Sequence, residues 1–84
     1  MNRIKMADVH SLLDLVHKVR TGTEHRITFR INNYEGNIMA ALYGYGENEI
    51  VFLKCFCVYP YGNDADITYY RECKQYLKEL LEEK

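Results

Sequence analysis

The sequence predicts an α+β domain in the order helix, strand, strand, strand, helix. Three observations carry this reading. Apolar residues recur at helical spacing near both ends, at Val9, Leu12, Leu13, Val16 and Val19, and again at Tyr70, Cys73, Tyr76, Leu77, Leu80 and Leu81. Between them, Arg26-Ile27-Thr28-Phe29-Arg30-Ile31-Asn32 alternates with a period of two. Two short connections rich in turn formers then separate three strand-like runs, which favours an antiparallel meander. Two helices packed on one face of that sheet would bury the apolar stripes and leave the other face open.

The first helix covers about residues 7–20, with Asp8 as a candidate cap and Gly22 as a left-handed stop. Strand one covers about 25–32. Asn33-Tyr34-Glu35-Gly36-Asn37 is short enough for a hairpin. Strand two runs from Ile38 to Tyr43, and Gly44-Tyr45-Gly46-Glu47-Asn48 makes the next connection. Strand three, Ile50 to Tyr59, is nearly all apolar, with Lys54 as its one charge. Tyr59-Pro60-Tyr61-Gly62-Asn63-Asp64 breaks the chain before the second helix, which Asp64 or Asp66 could cap. The last turn, Glu82-Glu83-Lys84, is expected to fray.

Ile27, Phe29 and Ile31 form the inward set of strand one, so Arg26, Thr28 and Arg30 face out. For strand two, Ile38, Ala40 and Leu42 are placed inward, and Met39, Ala41 and Tyr43 outward. Strand three is ambiguous. Lys54 should not be buried unpaired. That places Phe52, Lys54 and Phe56 on the open face, and Val51, Leu53, Cys55 and Cys57 inward. The opposite parity, with Phe52 and Phe56 in the core, is the alternative.

The chain has 84 residues, 48% hydrophobic and 27% charged, which fits one folded domain. Eight tyrosines and no tryptophan supply contact area at low entropic cost. A net charge of −1 lacks the basic balance that nonspecific binding to phosphate backbones favours. No apolar run approaches the roughly 20 residues that span a bilayer, so no membrane role is expected. The three cysteines lack a disulfide-framework spacing, which fits free thiols in a reducing, cytoplasmic setting.

The open face is the leading site. Arg26, Arg30 and Lys54 mix there with Tyr43, Phe52 and Phe56. A contiguous patch of this kind is rarely left exposed on a monomer. Three uses compete: docking of a protein partner, a homodimer through face-to-face sheets, and stacking of unpaired nucleic-acid bases. His10, Asp14 and His17 share one side of the first helix, the spacing a divalent metal would need, but with no second shell identified a solvated helix face is the preferred reading. Cys55, Cys57 and Cys73 read as core thiols, since zinc knuckles sit in loops. Gly44-Tyr45-Gly46 lacks the further glycine and strand-to-helix context of a phosphate loop. Glu47, Glu49 and the Asp64–Asp66 loop read as solvated surface. No cofactor, metal or catalytic motif emerges, so a non-enzyme is expected.

The stretch Ile27-Thr28-Phe29-Arg30-Ile31-Asn32-Asn33-Tyr34-Glu35-Gly36-Asn37 resembles part of a small phage-encoded anti-CRISPR inhibitor. In that inhibitor an apolar strand with an arginine enters an Asn-Asn-x-Gly-Asn turn, after a leading helix and within three antiparallel strands. This chain carries one extra residue before Gly36 and is nearly neutral where the inhibitor is acidic. The resemblance implies a non-catalytic inhibitor that blocks a protein partner, and it carries over no site residue. The double-stranded RNA-binding domain shares the element order. Its basic start to the second helix has no counterpart in Ala65-Asp66-Ile67-Thr68-Tyr69-Tyr70, which counts against membership.

Overall fold

In a computed structural model, which describes residues 3–59 and 63–83, the chain runs α1 (Met6–Gly22), β1 (Arg26–Tyr34), β2 (Asn37–Tyr45), β3 (Ile50–Tyr59) and α2 (Asp64–Glu82). The strands form one antiparallel sheet in the order β1-β2-β3. Both helices pack on one face, giving the α+β architecture that the sequence patterning predicts. Residues 60–62 of the expected breaker, and Lys84 of the expected frayed end, lie outside the described residues.

Caps set the helix ends, and they differ in detail from the sequence expectation. Asp8 sits in the first turn of α1, where its carboxylate accepts the Lys5 backbone N–H at 2.8 Å. The end of α1 is closed by extended Thr23, whose N–H and hydroxyl both donate to the Val19 carbonyl. Gly22 is therefore not a left-handed stop. At the start of α2 the cap is Asn63, which accepts the Asp66 N–H at 3.0 Å while Asp66 accepts the Asn63 N–H at 2.9 Å. Asp66 also accepts the Cys57 N–H at 2.9 Å, which ties α2 to β3. A reciprocal cap of this kind contributes about 1 kcal/mol.

The β1–β2 connection is a two-residue turn. Glu35 (φ 48°) and Gly36 (φ 83°) both take left-handed backbone, the pairing that matches strand twist in a tight hairpin. Glu35 holds that geometry at a cost of about 1–2 kcal/mol. Asn33 and Tyr34 are thereby drawn into β1, and Asn37 into β2.

Val9, Leu12, Val16 and Val19 of α1 meet Ile67, Tyr70, Cys73, Leu77 and Leu80 of α2 over the sheet. Ile4 before α1 and Ile27, Ala40, Leu42, Phe56 and Val58 of the sheet complete the core. Leu13, grouped with the α1 stripe by spacing, is instead exposed on its flank. The Phe56 ring meets Tyr70 edge-on, with centroids 5.8 Å apart. Gly44 sits under the Tyr76 ring, which stacks on Phe52 at 4.1 Å, so a Cβ at residue 44 would strike Tyr76.

The expected parity of β3 is corrected by these contacts. Phe56 is fully buried and Phe52 half-buried, both under the helices, whereas Val51, Leu53 and Cys55 face away from them. Lys54 shares the Phe56 side, yet it is not buried. β3 is an edge strand, so the long stem carries the ammonium outward to Glu72 at 3.2 Å and over the Tyr69 ring at 5.1 Å.

Candidate functional site: the uncovered sheet face

The open face is built from every second residue of each strand. The register aligns Arg26 with Tyr45, Thr28 with Tyr43 and Leu53, and Arg30 with Ala41 and Cys55. Arg26 lies over the Tyr45 ring at 5.6 Å and Arg30 over the Tyr43 ring at 5.9 Å. The two tyrosine rings are nearly parallel, 11° apart, with centroids separated by 6.5 Å. Beside this basic and aromatic half, Val51 and Leu53 of β3 are 55% and 46% exposed. The face is therefore two-toned, cationic over β1 and apolar over β3.

Of the residues expected on this face, Arg26, Arg30 and Tyr43 are brought together there. Phe52, Lys54 and Phe56 are not, for the reason of parity given above. Tyr45, Val51 and Leu53 were missed by sequence reasoning. The alternation Met39, Ala41, Tyr43 continues through Gly44 to Tyr45, and that continuation was the available signal. The turn-like Gly-Tyr-Gly hid it. For β3 the signal was side-chain size, since phenylalanine buries more apolar area than valine or leucine.

The remaining candidates do not converge. His10, Asp14 and His17 are exposed on α1. The three cysteines are free: Cys55 is exposed on the open face, Cys57 is on the same strand but buried, and Cys73 is buried on α2. Among the described residues no group of three His, Cys, Asp or Glu side chains lies close enough to hold a metal ion. Glu47 and Glu49 are exposed in the β2–β3 loop, and Asp66 is engaged in its caps. No described helix is long and apolar enough to cross a membrane.

Burial pushes the Cys73 thiol up from 9.0 to about 12, with Glu72 and Cys55 adding to the rise and Lys54 opposing it. Tyr70 and Tyr76 are also raised, by burial first, then by Asp8 and Glu83 respectively. A raised folded-state value means that the native protein holds a proton that the unfolded chain releases. Stability from Cys73 is thus full below about pH 9 and is lost as pH rises toward about 12. Thermal melts across this alkaline range should show a steady fall in Tm. A level Tm would contradict the burial of Cys73.

Comparison with known proteins finds no matching family model, curated relative or solved structure.

Proposed function

We propose that this chain is a non-catalytic protein-binding module that works by steric occlusion through its open sheet face. The observation that supports it most is the pairing of Arg26 with Tyr45 and Arg30 with Tyr43 beside exposed Val51 and Leu53. Arginine and tyrosine are the residue types that anchor protein interfaces. The partner surface is acidic where it meets β1 and apolar where it meets β3. An inhibitory role of the anti-CRISPR kind, from a phage or mobile element, rests on the resemblance of the Ile27–Asn37 stretch alone.

The test is capture of partners from lysate by the wild type and by an Arg26→Glu/Arg30→Glu variant. Loss of the same partner from the variant supports the reading, and equal capture overturns it. A second reading, single-stranded nucleic-acid binding, is favoured by the parallel Tyr43 and Tyr45 rings on the central strand. Salt-sensitive binding of single-stranded RNA or DNA, with no protein retained, would select it. A homodimer through the same face would appear in sedimentation as a concentration-dependent rise in mass.

A further inference from the structure

The free edge of β1 carries a row of unpaired backbone groups, and its position beside α1 makes it more than an ordinary strand edge. In a two-residue hairpin the closing pair, here Tyr34 and Asn37, exchanges hydrogen bonds across the ladder. Bonding then alternates, so Arg26, Thr28, Arg30 and Asn32 bond to β2. Ile27, Phe29, Ile31 and Asn33 direct their N–H and C=O groups away from it. The same alternation carried across β2 makes the Cys57 N–H point outward from β3, and Asp66 accepts it there. Among the described residues no backbone group outside the sheet and no side chain bonds to the outward groups of β1.

The side chains on that edge are also incompletely covered. Ile27 is buried, Phe29 is half-buried, and Ile31 is 43% exposed although it points to the helix side. Met6, Leu13 and Arg20 recur at every second turn of α1, forming one line along it. Asp8 lies on the opposite flank, where its carbonyl accepts the Tyr70 hydroxyl of α2. Leu13 and Arg20 therefore lie on the flank of α1 away from α2, while Met6, at the start of the helix, lies with Ile38 of β2. Arg20 lines an open cavity of about 500 Å³ together with Ile27 and Thr28. Exposed Leu13 and exposed Ile31 thus belong to the two elements, α1 and β1, that meet at this margin of the sheet.

We infer that this margin is a strand-addition site for an extended protein segment that alternates apolar and acidic residues. The inference rests on protein binding as the function and adds a second contact beside the open face. A segment paired with β1 would place alternate side chains on the two faces of the sheet. Those on the helix side fall beside Ile31 and toward Leu13. Those on the open side meet Arg26 and Arg30, and β1 itself bears no carboxylate. Charge complementarity selects an acidic segment. A second copy of β1 is disfavoured, because antiparallel self-pairing would gather four guanidinium groups on one face. The β3 edge is a poorer acceptor, since Asp66 occupies it and Lys54 crosses it toward Glu72.

The probe is a synthetic peptide of about ten residues that alternates valine and glutamate, titrated into the whole chain and followed by amide hydrogen exchange. Exchange at Ile27, Phe29, Ile31 and Asn33 should slow by about tenfold or more at saturation. A matched valine–lysine peptide should produce no slowing. Ile31→Pro should abolish the effect with the free fold intact, because that N–H faces away from β2 and proline is tolerated on such an edge. Lys78→Ala, on the exposed side of α2, should leave peptide binding unchanged. Slowing at Leu53 and Cys55 instead, equal binding of the lysine peptide, or no slowing at millimolar peptide would each overturn the inference. If the peptide fails while the Arg26→Glu/Arg30→Glu variant still loses its captured partner, the edge is wrong and the face stands.

Discussion

Phe56→Ala is expected to lower stability by about 3–5 kcal/mol, a large share of the roughly 4–13 kcal/mol typical of a chain of this length. Phe56 is fully buried, closes the core between sheet and helices, and meets the Tyr70 ring edge-on. Removing it deletes that contact and leaves a cavity that Ala40, its partner across the sheet, and Tyr70 cannot fill without moving. Leu53→Ala, three residues away on the opposite face of the same strand, should change stability by only about 0.5 kcal/mol, because Leu53 already faces water. Urea titration of both variants checks the pair. Equal losses would mean that β3 does not have the facing described above.

Reversing Arg26 and Arg30 together is expected to weaken partner binding by about 100-fold or more, since a single anchoring arginine commonly carries about 2 kcal/mol. Both side chains are exposed, so the fold should keep its stability within about 0.5 kcal/mol. The two changes remove both guanidinium–tyrosine contacts and turn attraction for an acidic surface into repulsion. Raising salt should weaken the wild-type complex far more than the variant's residual binding. Isothermal titration with the captured partner reads both effects. An unchanged affinity would move the working surface off the sheet.

The element order and the two amphipathic helices were legible because their apolar spacing is regular over several turns. Strand one was legible because its alternation is strict. Boundaries were less so: Gly44 reads as a turn residue, yet it lies inside β2 because Tyr76 occupies the space that its side chain would need. The facing of β3 was not legible from charge. Lys54 argues for exposure of its whole set only if the strand is central. On an edge strand the ammonium reaches the solvent-facing flank of α2 at Glu72, and the phenylalanines beside it can still be core. Half of the candidate site followed from β1 and β2, and the other half was inverted by this one residue. Val51 and Leu53 take the place that Phe52 and Phe56 were expected to fill.

Cys55 offers the most direct measurement on the central claim, because it is a free, exposed thiol beside Ala41 on the uncovered side, in the same row as Arg30 two strands away. Its alkylation rate can be compared with and without the bound partner, with buried Cys73 as the internal control. Occlusion of this side predicts strong protection of Cys55 in the complex and no binding after a bulky maleimide is attached there. Alkylation at the same rate in both states, with the labelled protein still binding, would contradict it.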